Sequence, residues 1–301
     1  MPELPEVETI ARGLAQNLTG DVIESVWLGD KPEPLKSPAA EIVGTLEQAR
    51  IAGVRRVGKH IVVDLSRQAR AALPKKKQVL RSPTPAHQNR ARRGPRSAQD
   101  DNAKAQWIVH LGMTGRLLIA KPEHELPKHT HAVLRLRSGR ELRFVDPRRF
   151  GRLAVVRHGF EAPGSEPLDV GFDAFAGLFR ERKTPIKSAL LNQGLLSGIG
   201  NIYADESLFR AGIRPRRRAA SLTRVELKRL YDAVREVLRE AIAAGGSSVS
   251  DYVDSNGDAG FFQFQHRVYG REGEPCLVCR APIKRIVIAG RSAHYCPKCQ
   301  K

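Results

Sequence analysis

The chain begins with MPELPEVE at positions 1–8, and the organisation of the rest of the molecule follows from this stretch. Pro5 suits the first turn of an α-helix, and Glu6 lies where a negative charge complements the helix dipole. Apolar residues then recur on one helical face, at Val7, Ile10, Ala11, Leu14 and Leu18. The stretch therefore predicts an amphipathic helix that anchors the start of the chain.

The same residues also allow a chemical interpretation. If Met1 is removed, the chain starts at Pro2, whose nitrogen is a secondary amine and a potential nucleophile. An α-amino group has a pKa near ~8, so a useful fraction is unprotonated at neutral pH. Such an amine could attack an electrophilic carbon to form an iminium while Glu3 moves the proton. From these residues alone, a plain helix and an active site both remain open.

The overall charge indicates a polyanionic partner. The 301 residues contain 51 Lys and Arg against 32 Asp and Glu, and 41% of them are hydrophobic. That length suits two domains with real cores, and the net charge of +19 favours nucleic acid as the partner. No apolar run reaches the roughly 20 residues of a membrane span, and the N-terminus lacks a basic signal-peptide head. We expect a soluble, cytosolic protein without membrane association.

Residues 66–104 differ sharply from the rest of the chain. They contain 11 Lys and Arg, two Asp and four prolines, with almost no large apolar side chains. Such a segment cannot bury enough surface to fold, which predicts a disordered basic insertion. The remaining body keeps a charge of +10, so the argument for nucleic acid does not depend on the insertion.

The flanking sequence predicts an antiparallel β-sandwich, because many short strands are separated by short turns. The predicted strands cover 22–28, 54–65, 107–111, 116–119, 131–137, 141–145 and 152–156, with a short helix at 38–46. Lys59 falls within the second strand, where an isolated lysine is normally a solvated surface residue. Two loops, LGMTG at 111–115 and DPRRFG at 146–151, carry Met113 and Phe150. These side chains fit either a wedge that enters a base stack or the sandwich core.

Beyond residue 157 the pattern becomes helical. Residues 158–172 form a predicted linker, and helices are predicted at 173–180, 185–191 and 202–210. A capping box, Thr223 with Glu226, opens a long helix that Gly245-Gly246 ends. The glycine-rich turn at 198–200 presents backbone amides that suit a phosphate, or it is only a tight turn between helices. The aromatic loop that follows the long helix either packs on that helix or covers a ligand.

The last residues contain the most specific motif. The four cysteines form two C-x2-C pairs separated by sixteen residues, which is the spacing of a zinc ribbon: Cys276, Cys279, Cys296 and Cys299. Because all four ligands come from the protein, we predict one structural Zn²⁺ and no catalytic metal. Arg285 and Arg291 on the hairpin between the pairs can reach a phosphate.

With these motifs placed, the chain resembles the bacterial formamidopyrimidine-DNA glycosylases. The resemblance rests on PELPEVET from residue 2, HLGMTG from 110, DPRRFG from 146, GIGNIYADE from 198 and the zinc ribbon. It covers nearly everything except 66–104. It implies an α+β protein: an N-terminal antiparallel β-sandwich with flanking helices (1–157), a linker, a helix-two-turn-helix domain (173–264) and a zinc ribbon (265–301).

The resemblance also implies a function, the removal of oxidised purines from double-stranded DNA by a glycosylase and AP lyase of base excision repair. It makes Pro2 the nucleophile on C1′ of a flipped nucleotide and Glu3 the proton donor, with Glu6 in support. Lys59 would contact the lesion nucleotide and its phosphate, and Arg291 would grip the phosphates of the lesion. Elimination reactions would then cut the strand on both sides.

The same resemblance implies the DNA contacts. Met113, Arg148 and Phe150 would fill the space of the flipped base, with Arg148 facing the orphaned cytosine. Residues that match phosphate-binding positions are His129, Arg182, Lys187 and Asn201. The loop 247–264 would cover the extruded base. We expect a monomer associated with the nucleoid.

Two departures and two rival functions remain. His60 and Asn192 stand where the family more often has an aromatic residue and an aspartate. The sister enzyme endonuclease VIII, which prefers oxidised pyrimidines, has an N-terminus resembling PEGPE, whereas this chain has Leu4. A non-catalytic DNA-binding protein is the other alternative, and the intact Pro2, Glu3 and Lys59 argue against it.

Overall fold

The computed structural model describes residues 1–66, 105–157, 159–249 and 252–301. Apart from Ser66, the predicted basic insertion lies outside the described residues. The helices are α1 (Leu4–Leu18), α2 (Ala39–Leu46), α3 (Phe172–Gly177), α4 (Ile186–Leu190), α5 (Asn201–Ala211) and α6 (Arg224–Ala243). The strands are β1 (Ile23–Leu28), β2 (Arg50–Val57), β3 (His60–Ser66), β4 (Ala105–His110), β5 (Arg116–Ala120), β6 (Thr130–Leu136), β7 (Glu141–Val145), β8 (Arg152–Val156), β9 (Lys284–Ile288) and β10 (Arg291–Tyr295).

The first eight strands form the predicted antiparallel sandwich. One four-stranded sheet has the order β1-β6-β7-β5 and the other β2-β3-β4-β8. Inward side chains of both sheets, such as Trp107 and Phe144, share one core with the apolar face of α1. The predicted mixed α+β architecture is confirmed, with α1 and α2 flanking the sandwich.

The single strand predicted at 54–65 is wrong, and the difference changes the position of Lys59. Residues 50–66 form a hairpin in which Val57 of β2 lies opposite His60 of β3. Gly58 makes the turn with a φ of +58°, a conformation that suits glycine. Apolar residues on both sides of the turn hide it from a periodicity argument. Lys59 therefore lies at the tip of a hairpin instead of on a strand face.

The C-terminal half packs around α5 and α6. The predicted capping box is present, since Thr223 Oγ1 accepts a hydrogen bond from the Glu226 N–H at 3.2 Å. Leu230, Val234 and Leu238 of α6 are fully or almost fully buried against α5. Strands β9 and β10 form a hairpin beside α5 and carry the cysteine motif at its base. Among the described residues, no helix is long and apolar enough to cross a membrane.

Helix α1 connects the two halves. Leu4 is fully buried in the helical core, whereas Val7, Ile10, Leu14 and Leu18 belong to the sandwich core. The Leu4 N–H also donates to the carbonyl of Gly198, at 3.0 Å. The predicted amphipathic helix is confirmed, and its first turn fixes the chain start between the two domains.

Candidate active site and DNA interface

Glu3 is buried against the N-terminus of α5. Only 3% of the residue is exposed, and its Oε1 accepts the Ile202 N–H at 3.0 Å. Burial raises the pKa of Glu3, while the charge of Lys59 and the amides of α5 oppose that rise. The site thus holds a carboxyl group whose protonated form is favoured by its surroundings, as a proton donor requires.

Two glycines make room for this arrangement. A Cβ at Gly200 would lie 2.3 Å from Glu3 Cδ, and one at Gly198 would lie 2.9 Å from Leu4 Cβ. The free amides at the start of α5 are therefore directed at a carboxylate of the protein. This turn also receives the start of α1, a role that the sequence alone did not indicate.

Glu6 lies beside Glu3 and is also buried, with 2% exposed. Its carboxylate accepts the Glu3 N–H at 2.8 Å, the Ser247 N–H at 2.8 Å and the hydroxyl of Tyr203. Burial, followed by the nearby charge of Glu3, raises the pKa of Glu6 to about 7. Glu6 thus links α1 to α5 and to the loop after α6.

Lys59 points into the same buried region. The residue is only 8% exposed, so the expectation of a solvated lysine is wrong. Burial lowers the pKa of Lys59, whereas the charges of Glu3 and Glu6 raise it and that of Arg291 lowers it further. Lys59 therefore interacts electrostatically with two buried carboxyls and with Arg291.

The turn that carries Lys59 is fixed by hydrogen bonds to Glu166, a residue of the predicted linker. Glu166 accepts hydrogen bonds from the Gly58 N–H at 2.5 Å and from Arg56 at 2.7 Å. Arg56 also donates to Glu8 of α1, at 2.9 Å. This network couples the hairpin, the linker and α1, so Lys59 is positioned relative to the N-terminus.

Pro2 lies in a small cleft between the two halves of the protein. Its other walls come from the loop at Met113, from Ile202 of α5, and from Ser247 and Tyr252 of the loop after α6. Met1 is exposed at the mouth of this cleft. Removal of Met1 would therefore leave the Pro2 amine in a partly enclosed site.

The loops of Met113 and Phe150 are packed together and leave both tips outside. Met113 is 39% exposed and Phe150 52% exposed, so the expectation that they fold back into the core is wrong. The fully buried Asp146 ties the loops by accepting from Thr114 Oγ1 at 2.6 Å and from the Gly151 N–H at 2.7 Å. The guanidinium of Arg148 lies 4.9 Å from the centre of the Phe150 ring.

The aromatic residues of the loop after α6 differ in burial. Phe262 is buried beside Tyr203, with ring centres 5.7 Å apart. Phe261 and Phe264 are 65% and 81% exposed. The loop thus packs one ring on the helical core and presents others to the outside.

The four cysteines form a compact cluster. All four sulfurs lie within 4.8 Å of one another, with 3.4 Å between Cys279 and Cys296 and 3.9 Å between Cys276 and Cys299. Tetrahedral zinc with Zn–S bonds of about 2.3 Å needs sulfurs about 3.8 Å apart. The cluster fits one zinc ion with no open position, so the metal is structural.

The residues that match phosphate-binding positions divide into two groups. His129 and Arg182 are exposed, and His129 adopts a φ of +69° next to the loop of Asp146. Asn201 is half-buried and donates to Ser292 Oγ at 3.1 Å. Lys187 is completely buried in an ion pair with Asp205, at 2.6 Å. Its ammonium group therefore lies inside the protein and not on a DNA-binding surface.

Comparisons with known proteins agree with this architecture along the chain. Family models match the formamidopyrimidine-DNA glycosylase N-terminal domain at 1–153, the H2TH domain of the same enzyme at 163–253, and a zinc finger found in FPG and IleRS at 273–301. The formamidopyrimidine-DNA glycosylase of Solibacter usitatus is 41% identical over 314 residues, with both chains fully covered. The chain belongs to the formamidopyrimidine-DNA glycosylase family.

Solved structures of family members agree with this assignment. The crystal structure of the MutM (Fpg) protein from Thermus thermophilus has a TM-score of 0.77 at 40% identity and covers 99% of this chain and 98% of that one. A complex between Lactococcus lactis Fpg and DNA with an abasic site has a TM-score of 0.81 at 28% identity, with 99% of both chains covered. Enzymes of this family are DNA glycosylases with AP lyase activity that remove oxidised purines.

The two departures from the family pattern are packing residues. His60 lies between His110 and Phe160, with both ring centres 4.9 Å away. Asn192 accepts the Gly194 N–H on its side-chain oxygen at 2.9 Å, as an aspartate also could.

Several residues of the site were not singled out from the sequence. Glu166 falls in the predicted linker and Asp146 opens the DPRRFG motif without having been given a role, although each accepts hydrogen bonds that fix a loop. Tyr203 belongs to the GIGNIYADE motif, but nothing in its spacing shows that it bonds to Glu6. Glu166 lies 108 residues from Gly58, and Tyr203 lies 197 residues from Glu6, so neither pairing is visible in the sequence.

Proposed function

We propose that this protein is a bifunctional DNA glycosylase and AP lyase that removes oxidised purines, such as 8-oxoguanine and formamidopyrimidines, from duplex DNA through Pro2. The observation that carries the proposal is the cleft at the start of the chain. There, Glu6 lines the cleft beside Pro2, which becomes the N-terminus after Met1 is removed, and the charges of Lys59 and of the chain terminus both act on the pKa of the adjacent buried Glu3.

In the first step, the neutral Pro2 amine attacks C1′ of the flipped nucleotide. The C–N bond to the damaged base breaks as Glu3 protonates the leaving base, and the proton released by the Pro2 nitrogen goes to O4′ as the sugar ring opens to an iminium. Because α1 is fixed by Leu4 and by the capping contacts of Glu6, the amine is held near its target. Glu6 contributes by ordering the first turn.

In the following steps, the iminium makes the hydrogen on C2′ acidic. Loss of that proton expels the 3′ phosphate in a β-elimination, and a second elimination expels the 5′ phosphate. Hydrolysis of the Schiff base then restores the Pro2 amine. Lys59 and Arg291 supply the positive charge that stabilises these phosphates in the cleft.

The DNA interface extends from this cleft along the exposed loops. Met113, Arg148 and Phe150 would occupy the space left by the flipped base, because apolar tips flanked by a guanidinium suit an opened base step. His129, Arg182 and Asn201 would bind phosphates. Lys187 is proposed for a different role, described below.

We further propose that the enzyme acts as a monomer in the cytoplasm, on nucleoid DNA. All of the residues assigned to the reaction come from one chain, so the proposed mechanism does not need a second copy. Light scattering of the protein with and without a duplex tests this part, and a stable dimer that is required for cleavage would contradict it.

Borohydride trapping tests the proposed function. Wild-type protein should form a covalent adduct with a duplex that contains 8-oxoguanine opposite cytosine, and Pro2→Gly should form far less, because its primary amine lacks the constrained ring. Absence of any adduct with the wild-type protein would rule out the Schiff-base enzyme and leave the non-catalytic DNA-binding protein. Mass spectrometry of the intact protein must also show that Met1 is absent.

The sister activity of endonuclease VIII is separated by substrate. We expect faster cleavage of the 8-oxoguanine duplex than of a thymine-glycol duplex. The opposite order would favour the oxidised-pyrimidine enzyme and contradict the proposed specificity.

A further inference from the structure

Arg291 is the first residue of β10, in the short hairpin that carries the cysteine motif. It follows the turn Ala289-Gly290, whose residues have φ values of +46° and +75°, and it is exposed. Its positive charge lowers the pKa of Lys59, so the guanidinium lies within electrostatic reach of that buried lysine. The direction of Arg291 therefore depends on what holds β10.

A buried group of charged residues holds that strand. Lys187 of α4 donates to Asp205 of α5 at 2.6 Å and also to the backbone carbonyl of Ser292. Asp205 accepts the His294 N–H at 2.9 Å. We call the pair Lys187 and Asp205 the clasp. It binds the backbone of β10 at Ser292 and His294, one and three residues beyond Arg291.

The backbone of β10 explains why the clasp uses charged groups. In a two-stranded hairpin, alternate N–H and C=O groups face away from the partner strand and need other partners. When such groups are buried, the loss of hydration must be offset by hydrogen bonds. Lys187 and Asp205 are both 0% exposed, and together they offer one donor and one acceptor to this edge.

In the described structure the ammonium group of Lys187 is not accessible to DNA. Both hydrogen bonds of its ammonium group are internal, and Asp205 neutralises its charge. Any effect of Lys187 on the reaction must then be transmitted through the strand that it holds.

We propose that Lys187 and Asp205 are positioning residues that fix β10 so that Arg291 reaches the phosphates of the damaged nucleotide. The proposal rests on the function proposed above, in which Arg291 stabilises those phosphates. Lys187 then affects the rate of strand cleavage only by fixing the position of Arg291, and it does not contact the substrate.

A double-mutant cycle tests this role. Lys187→Met/Asp205→Asn removes both charges and keeps an acceptor for His294, so no unpaired charge is left buried. We expect strand cleavage of an abasic-site duplex, in single turnover, to fall about tenfold, as on loss of one charge-assisted contact. In an Arg291→Ala background the same change should alter the rate by less than about twofold, because the coupled contact is already absent.

Arg214 provides a matched control. It binds the carbonyls of Pro297 and Gln300, at 2.9 Å each, and so attaches the ribbon to the helical domain away from Arg291. Arg214→Ala should leave the cleavage rate within about twofold of wild type. Every variant is also assayed for one bound zinc per chain and for its thermal unfolding.

Three outcomes would overturn the proposal. They are rate losses that multiply in the Arg291→Ala background, loss of zinc from the clasp variant, and an equal effect of Arg214→Ala. If the double variant does not fold, Asp205→Asn alone replaces it, since its one amide oxygen can still accept the His294 N–H while the carboxylate that holds Lys187 is lost. Failure of the proposed function itself would appear separately, as a wild-type protein that forms no borohydride adduct.

Discussion

Two neighbouring carboxyl groups at the start of the chain are placed for different tasks. Glu3 directly follows Pro2 and accepts hydrogen bonds only from the amides of Ile202 and Tyr203, whereas Glu6 accepts from Glu3, Ser247 and the hydroxyl of Tyr203. A proton donor must be able to carry a proton on one oxygen and release it to the substrate. A carboxyl that only orders the chain can have both oxygens fixed by hydrogen bonds. We therefore assign proton transfer to Glu3 and ordering of the first turn to Glu6.

The role of Glu3 predicts a selective loss in Glu3→Gln. Glutamine has the same shape and can still accept the Ile202 N–H, but it cannot donate a proton to the leaving base. Excision of 8-oxoguanine should fall by about a hundredfold or more. Cleavage of a preformed abasic site should fall much less, because no base must leave. A gel assay of both duplexes measures this, and equal losses on the two substrates would contradict the assignment.

Glu6 predicts a pH dependence of stability. Its pKa is about 7 in the folded protein and 4.5 for the free side chain, so the folded state binds the proton more tightly. The stability from this group is therefore complete below pH 4.5 and is lost as the pH rises through about 7.

Relative to Glu6→Gln, the free energy of unfolding of the wild-type protein should fall by roughly 3 kcal/mol across that interval. Urea unfolding at a series of pH values measures the difference. Glu123→Gln, at an exposed position, is the control for the loss of one carboxylate. A difference that is constant with pH, or that grows in favour of the wild type, would contradict the burial of a protonated Glu6.

At the scale of elements, the site depends on the close approach of α1 to the start of α5. That approach requires Gly200, since a Cβ there would overlap Glu3 Cδ at 2.3 Å. Gly200→Ala should destabilise the protein by about 1–3 kcal/mol and impair base excision, because the Glu3 carboxyl must move.

Gly177→Ala is the matched control for this change. Gly177 ends α3, and a Cβ there meets nothing within 4 Å. Its replacement should be neutral or slightly stabilising, by less than about 1 kcal/mol. Thermal unfolding and the cleavage assay of both variants decide the point. A Gly200→Ala protein as stable and active as Gly177→Ala would show that the close approach is not required.

The elements themselves follow largely from the sequence. The periodicity of α1 and the capping box of α6 predict those helices because local chemistry decides them. The hairpin at Gly58 was missed because valines on both sides of the turn look like one continuous strand. Lys187 was assigned to DNA because its motif shows position and not burial. Its partners, Asp205 and the edge of β10, are brought together only by tertiary packing.

At the scale of the whole molecule, much of the excess positive charge lies outside the residues proposed to contact DNA. Residues 66–104 contribute 11 Lys and Arg against two Asp. If these residues neutralise phosphates, each contact should add about 0.9 to the slope of log K against log salt concentration. Deletion of 68–104 should then lower the slope for undamaged and damaged DNA alike. An unchanged slope would show that the insertion is an inert tether.

The location of the covalent bond tests the account most directly. After borohydride reduction of the protein bound to an 8-oxoguanine duplex, nuclease and protease digestion followed by tandem mass spectrometry identifies the modified nitrogen. The account predicts a sugar remnant on the N-terminal nitrogen of Pro2, in a peptide that lacks Met1. A remnant on the side chain of Lys59, or an adduct on protein that retains Met1, would contradict it.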